Sequence, residues 1–157
     1  MTFLASRKLD KIWTFFAPLF VIFLGADQVS KEWAMTHLEE GTSRDVGLVL
    51  TYNYGVVFGF DLPLPLIYVL TAAILGLGTY LVIKNRLWQD HWHLGALSLL
   101  LAGAIGNVVD RLRFGAVVDF IKVYWWPTFN LADLWIVLGV LLFAWEFLFR
   151  EDGVEKL

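Results

Sequence analysis

The sequence predicts an integral membrane protein of mainly α-helical class, with four transmembrane helices and a small β-rich platform on the outer side of the membrane. Of its 157 residues, 59% are hydrophobic and 17% are aromatic, which is well beyond the composition of a soluble globular domain. The mean hydropathy of +0.66 agrees with this. No internal repeat, linker or low-complexity tract interrupts the chain, so residues 1–157 are expected to form one domain.

Four apolar runs give the number of expected helices, because about 20 apolar residues are needed to cross roughly 30 Å of hydrocarbon. The expected spans are approximately residues 12–28, 64–83, 93–111 and 133–150. The first run follows basic residues, as a signal peptide would. It lacks the small residue expected three positions before a cleavage point, so we interpret it as a retained anchor.

The orientation follows from the basic residues, which favour the cytoplasmic side of a membrane. They precede the first span and lie between the second and third: Arg7, Lys8, Lys11, Lys84 and Arg86. Both termini are therefore expected in the cytoplasm, and segments 29–63 and 112–132 on the outer side. The β-prone stretch Leu48–Tyr54 lies in the first outer segment, among several glycines, and predicts the sheet of the platform.

Composition excludes several classes of protein and site. The net charge is −3 and the basic residues are scattered, so nucleic-acid binding is not expected. Without cysteine, the chain has no disulfide, thiolate nucleophile or thiolate metal site. His91 and His93 alternate and so do not share a helix face, and we interpret them as cytoplasmic loop residues. The zinc motif H-E-x-x-H and the serine motif G-x-S-x-G are both absent.

Ionisable residues at membrane depth are costly and are therefore candidates for function. Asp27 and Lys31 are four residues apart, on one helix face, where they can form an ion pair that eases the span into the headgroup layer. Asp110 and Arg111 are adjacent at the end of the third span. Because neighbouring residues on a helix point in different directions, these two are expected to bind different partners.

Asp119 and Asp133 both lie on the expected outer side, and neither has an obvious cation at helical spacing, although Lys122 is three residues from Asp119. One interpretation is structural, with Asp119 in an interfacial turn and Asp133 as the N-cap of the fourth span. The other is catalytic. Two carboxylates in a poorly hydrated site share one proton. The ionised group can then take a proton from water, while the protonated group stabilises the oxyanion and supplies a proton to the leaving amine. The residues alone leave both interpretations open.

Five motifs in a fixed order resemble those of the bacterial lipoprotein signal peptidases, or type II signal peptidases. The resemblance extends from about residue 20 to residue 145. The motifs are Asp27-Gln28-x-Ser30-Lys31, Asn53-x-Gly55-x-x-Phe58-Gly59, Gly106-Asn107-x-x-Asp110-Arg111, Val117-Val118-Asp119-Phe120 and Phe129-Asn130-x-Ala132-Asp133.

This resemblance implies an aspartic endopeptidase that removes the signal peptide from diacylglyceryl-modified prolipoproteins, cutting on the N-terminal side of the lipidated cysteine. It implies Asp119 and Asp133 as the catalytic pair and Asp110 as structural support. The implied substrate-binding residues are Asp27, Lys31, Asn53, Gly55, Asn107, Arg111 and Asn130.

The implied setting is a multi-pass monomer in the bacterial inner membrane, with a periplasmic platform and the active site near the outer face. No metal or other cofactor is expected, and the expected partners are the prolipoprotein and membrane lipids. Trp125 and Trp126 are interpreted as part of an interfacial aromatic belt.

Four positions depart from the pattern common in this family: Val56, Val57, Ala102 and Leu134. Val56 and Val57 are bulkier than the usual alanines and are expected to narrow the substrate groove. Leu134 replaces a common serine and removes a possible hydrogen bond to Asp133. These departures are expected to affect rate or substrate preference rather than activity itself.

Two alternatives belong to other classes of protein. In a lipid-phosphate transferase, aspartates at the membrane edge would hold Mg²⁺ against a polyprenyl diphosphate. In a small proton-coupled carrier, Asp119 or Asp133 would act as a relay. Sensitivity to a chelator would distinguish the transferase from a carboxylate pair.

The expected topology can be tested with reporter fusions. Fusions after Leu157 and within Arg86–His91 should report a cytoplasmic location, and fusions near Glu40 an external one, because the positive residues hold the first two sites inside. Reporter activity in whole cells is the measurement. An external C-terminus would place Asp119 and Asp133 on the wrong face of the membrane.

Overall fold

The computed structural model describes residues 12–41, 45–55, 64–84 and 90–149. It contains four α-helices, and a short π-helical turn, Ile12–Phe16, precedes the first. The helices are α1 (Ala17–His37), α2 (Leu64–Lys84), α3 (His91–Phe114) and α4 (Leu131–Phe149), and the strands are β1 (Gly47–Asn53) and β2 (Val117–Lys122). The expected mainly helical class with a small sheet is confirmed.

The first helix is longer than the sequence suggested. It was expected to end near residue 28, but α1 continues to His37, so the expected outer segment 29–63 begins as helix. Asp27 and Lys31, the charged residues near the expected end of the span, do not end the helix. Their side chains are buried and pair with each other across one helical turn. Pro18 lies in the first turn, where a missing N–H is tolerated.

Helix α3 also begins earlier than expected, and this corrects the interpretation of two histidines. His91 and His93 lie in its first turn, not in a loop. The Asp90 side chain caps the helix by accepting a hydrogen bond of 3.0 Å from the Trp92 backbone N–H. At the other end, Gly115 has a φ of +74°, a left-handed conformation that suits glycine and stops the helix.

Among the described residues, α3 is the one helix that is long and apolar enough by itself to cross a membrane. The number of four spans therefore stays a prediction. The described helices lie close to the expected ranges of the last three spans, 64–83, 93–111 and 133–150, with boundaries shifted by a few residues.

The expected platform contains an antiparallel pair of strands, one from each outer segment. Leu48–Tyr54 was predicted as β-prone, and β1 confirms it. β1 pairs with β2 so that Thr51 lies opposite Asp119, with an irregularity in the register between Leu48 and Thr51. The backbone of Phe129 adds two further hydrogen bonds to Ile121, of 2.8 and 3.0 Å. The sheet thereby brings β1, Asp119 and the start of α4 together.

Small residues on α3 let the other helices approach it closely. A methyl group added at Gly103 would overlap the backbone carbonyl of Ala132, and one at Gly106 would overlap the carboxylate of Asp27. Ala102, where a second glycine is common in the resembling family, is fully buried and accommodated. The contact at Gly103 fixes the distance between α3 and the first turn of α4.

Gly103→Ala should therefore destabilise the protein by about 1–3 kcal/mol, because the added methyl group has no space beside a rigid backbone carbonyl. Thermal unfolding in detergent micelles is the measurement. The matched control is Gly25→Ala on α1, where an added methyl group would meet no described atom within 4 Å. The control should melt at or slightly above the wild-type temperature, since alanine favours helix. Equal melting of the two variants would show that the α3–α4 contact is not close.

Candidate active site

The start of α4 holds Asp133 in place through its neighbour Asn130. The Asn130 side-chain carbonyl accepts a hydrogen bond of 3.0 Å from the Asp133 backbone N–H, and the Asp133 carboxylate accepts one of 3.2 Å from the Asn130 backbone N–H. This reciprocal arrangement is a capping box. The N-cap is therefore Asn130, not Asp133 as the structural interpretation of the sequence had it, and Asp133 lies in the first turn.

The same asparagine joins the two candidate aspartates. Asn130 Nδ2 lies 2.7 Å from Asp119 Oδ1 and donates to it, while its backbone N–H donates to Asp133. Asn130 is completely buried. The structure thus brings Asp119 and Asp133 to one site, as expected.

Each carboxylate oxygen of the pair accepts an N–H donor. Asn53 Nδ2 lies 3.0 Å from Asp119 Oδ2, and Asn107 Nδ2 lies 2.9 Å from Asp133 Oδ1. Asn53 reaches Asp119 from the paired strand, because residues two apart on a strand point to the same face and Thr51 lies opposite Asp119. Asn107 comes from α3. The two carboxylates are therefore oriented by donors from three different elements.

The environments of the two aspartates differ. Asp119 is 2% exposed, and its burial, together with the nearby charge of Asp133, raises its pKa to about 7 despite the amide donors of Asn53 and Asn130. Asp133 is partly exposed, and it lies at a helix N-terminus, where the dipole and N–H donors stabilise negative charge. Asp119, the buried member of the pair, therefore takes up a proton as the pH falls through about 7.

A buried charge cluster lies behind the pair. Lys31 Nζ lies 2.9 Å from Asp27 Oδ2 and 2.8 Å from Asp110 Oδ2, and all three side chains are at most 2% exposed. The expected pairing of Asp27 with Lys31 is confirmed, and Asp110 joins it from α3. Lys31 also donates to Asn107 Oδ1 at 3.1 Å, so the amide of Asn107 must turn its nitrogen toward Asp133.

The burial of Asp27 and Lys31 bears on the role that the resemblance implies for them. Both side chains are bound to protein groups, and contact with a substrate would require this cluster to open. Asp110 accepts a hydrogen bond of 3.1 Å from the Val118 backbone N–H, which suits the expected supporting role.

Arg111 contacts the turn that follows β1. Its Nη2 donates to the Gly55 carbonyl at 3.1 Å and its Nη1 to the Asn107 carbonyl at 3.3 Å. The Asn53 side-chain carbonyl accepts the Gly55 backbone N–H at 3.0 Å. Asp110 and Arg111 have different partners, as expected. Arg111 Nε is buried and has no hydrogen-bond partner among the described residues.

Three further points from the sequence concern side chains around the site. Val56 and Val57 lie outside the described residues, so a narrowed groove stays a prediction. Leu134 is partly exposed. Lys122 does not pair with Asp119, because its Nζ donates to the Trp126 carbonyl at 2.7 Å.

Sequence reasoning missed the role of Gln28. Its side-chain amide hydrogen-bonds both Asp27 and Asp110. Its place next to Asp27 in the first motif was the available signal. Within the described ranges, no group of three or more His, Cys, Asp or Glu residues is arranged to hold a metal ion.

Comparison with known proteins identifies the family that the sequence motifs resemble. The family model described as signal peptidase (SPase) II matches residues 19–149. The lipoprotein signal peptidase of Psychromonas ingrahamii is 37% identical, covering 86% of this chain and 85% of the relative. That of Hydrogenovibrio crunogenus is 39% identical, covering 99% and 95%.

Two solved structures are also similar, and each is described as a bacterial membrane enzyme. One is 30% identical with a TM-score of 0.74, covering 86% of this chain and 96% of that one. The other is 28% identical with a TM-score of 0.74, covering 91% and 97%. The family match over most of the chain, the relatives and the paired aspartates lead to one conclusion: the chain belongs to the signal peptidase II family.

Proposed function

We propose that this membrane enzyme is an aspartic endopeptidase that removes the signal peptide from diacylglyceryl-modified prolipoproteins, cutting on the N-terminal side of the lipidated cysteine. The observation that carries the proposal is the pair of aspartates joined by Asn130 in a site where Asp119 has a pKa of about 7. Peptide hydrolysis by two carboxyl groups needs one of them ionised and the other protonated, and the raised pKa of Asp119 makes it the protonated member below about pH 7.

The different environments of the two aspartates assign their roles. Asp133 is partly exposed and takes a proton from a water molecule as the water oxygen attacks the scissile carbonyl carbon. Protonated Asp119 stabilises the negative charge that develops on the carbonyl oxygen. When the C–N bond breaks, the leaving amine receives a proton from the pair, and the cysteine side keeps its lipid and a free amino group.

Substrate positioning is assigned to residues around the pair rather than behind it. They are Asn53, Gly55, Asn107, Arg111 and Asn130. Asn53 and Arg111 are partly exposed and can hold a peptide backbone or an ester oxygen. The buried Gly55, Asn107 and Asn130 act by orienting these two side chains and the pair. For Asp27 and Lys31 we propose support of the pair instead of substrate contact, because both are buried and mutually bound. Asp110 shares this supporting role.

We further propose that all four helices of the single domain span the bacterial inner membrane, with both termini in the cytoplasm and the pair near the outer face. Exposed apolar side chains on α4, including Val137, Leu141 and Trp145, suit contact with lipid. Trp125, which is 84% exposed, and Tyr124 form an aromatic turn that suits the headgroup layer. The substrate's acyl chains would then stay in the bilayer while its scissile bond reaches the pair. The protein is proposed to act as a monomer.

The transferase alternative is less compatible with this site. Every carboxylate oxygen of the pair already accepts an N–H donor, and each donor occupies one of the lone pairs with which that oxygen could bind a magnesium ion. Cleavage by the carboxylate pair should therefore be unchanged by a chelator, whereas a transferase would lose activity.

Asp119→Asn and Asp133→Asn should each leave a folded, membrane-inserted protein with almost no cleavage, because an amide can neither take a proton from water nor return it. Cleavage of a purified diacylated prolipoprotein, with and without chelator, is the measurement. His37→Ala is the control, since this exposed side chain is bound to Thr36 and Trp33 on its own helix, and the variant should cleave normally. Near-normal turnover by either aspartate variant would contradict the two-carboxylate mechanism.

The pH dependence follows from the pKa of Asp119. Its raised value means that the proton is present below about pH 7 and is lost as the pH rises through that value, which leaves both carboxylates charged. The maximal rate should therefore fall on the alkaline side of about pH 7, by about tenfold for each pH unit well above it. Initial rates at saturating substrate between pH 5 and 9 are the measurement. A rate that is constant across this range would show that Asp119 is not the proton donor.

A further inference from the structure

The residue before each aspartate of the pair donates its backbone N–H to a different buried carboxylate. The residue before Asp119 donates its backbone N–H to Asp110 Oδ2 at 3.1 Å. The residue before Asp133 donates its backbone N–H to Asp27 Oδ1 at 2.9 Å. The distance between Asp27 and Asp110 therefore affects the distance between Asp119 and Asp133, through one hydrogen bond on each side.

Gln28 bridges these two supporting carboxylates. Its Nε2 lies 3.1 Å from Asp27 Oδ2 and 3.2 Å from Asp110 Oδ1, with the Gly106 carbonyl oxygen at 3.4 Å. All three neighbours are acceptors, which fixes the nitrogen end of the amide toward them. Two amide hydrogens are thus shared among three acceptors on α1 and α3.

Lys31 bridges the same carboxylates, but it acts differently. Its ammonium group is a point charge that can rotate its donors, so it attracts Asp27 and Asp110 without fixing their directions. The planar amide of Gln28 has two N–H bonds in fixed directions. It also supplies a donor to Asp110 Oδ1, whereas Lys31 lies 2.8 Å from Asp110 Oδ2.

We propose that Gln28 is a positioning residue that sets the spacing of Asp119 and Asp133 by tying Asp27 to Asp110. The inference rests on the proposed function of those two aspartates as the catalytic pair. Gln28 itself contacts neither aspartate of the pair in the described hydrogen bonds, so it acts through the supporting carboxylates and the two backbone N–H groups.

Gln28→Met tests the proposal, because methionine keeps the length of the side chain and removes both donors. Small misplacements of catalytic groups can cost up to about a hundredfold in rate, and Lys31 still bridges the cluster, so kcat should fall by about tenfold. KM should stay close to the wild-type value, since no substrate contact is lost. Steady-state cleavage of a diacylated prolipoprotein by the full-length protein in detergent micelles is the measurement.

Gln28→Glu adds a pH readout that a merely structural role would not produce. The charged groups around position 28 are Asp27, Lys31 and, one helical turn further, Glu32 on α1, together with Asp110 and Arg113 on α3. β2 and α4 bring backbone N–H groups to the cluster. An ionised glutamate would repel both carboxylates, and a protonated one can donate a hydrogen bond again. Its kcat relative to wild type should therefore be lowest at alkaline pH and should recover toward pH 5.

Glu32→Gln is the matched control on the same helix. Glu32 is exposed and pairs with Arg113 at 3.5 Å, and it makes none of the hydrogen bonds or ion pairs described for the buried cluster. Its kcat, KM and pH profile should equal those of wild type.

The outcomes separate this inference from the proposed function. A wild-type kcat for Gln28→Met, with Asp119→Asn inactive, would overturn the positioning role and leave the catalytic pair intact. A lowered melting temperature with an unchanged kcat in the folded fraction would also overturn it, since Gln28 would then act on stability alone. Normal cleavage by Asp119→Asn would overturn the proposed function, and this inference with it.

Discussion

The buried ammonium group of Lys31 is the interaction on which the rest of the site depends. Transferring a charged group from water into a protein interior costs several kcal/mol, and Lys31 is 2% exposed. The cost is offset by two carboxylates within 3 Å and by the side-chain oxygen of Asn107. Because Asp27 and Asp110 come from different helices, the ion cluster joins α1 to α3 at one depth. Removing the cation would leave two buried carboxylates facing each other, which typically costs about 3–5 kcal/mol.

The cluster places two carboxyl groups against one ammonium group, and neutral donors also bind the carboxyl groups. These are the amide of Gln28 and the backbone N–H groups of Val118 and Ala132. The two backbone donors belong to β2 and α4, so the cluster binds both elements that carry the proposed catalytic pair. An apolar replacement for the cluster could pack equally well, but it would not fix the directions of these N–H groups. The charges therefore contribute orientation more than net stability.

Interactions between residues close together in the sequence were predictable from the sequence, and those between distant residues were not. Asp27 and Lys31 are one helical turn apart, so their pairing was predictable from spacing, and the apolar-aromatic pattern of Leu48–Tyr54 was enough to predict β1. The participation of Asp110 was not predictable, because it lies 79 positions beyond Lys31 along the chain. The carboxylate pair came from the family resemblance, since spacing alone left a structural interpretation open for both aspartates. The mistaken N-cap at Asp133 has a local cause: both Asn130 and Asp133 are good capping residues, and the contact of Phe129 with β2 determines which of them begins α4.

The arrangement of donors around Asp133 also explains how the chain tolerates leucine at position 134. A serine hydroxyl there would be one possible donor to Asp133. In this chain both Asp133 oxygens already accept N–H groups, one from Asn107 and one from the backbone of Asn130. Leu134 is 36% exposed, and an apolar side chain needs no hydrogen-bond partner. The orientation of Asp133 thus depends on amide donors that Lys31 and the helix cap hold in place, and the neighbouring position is free to hold an apolar residue.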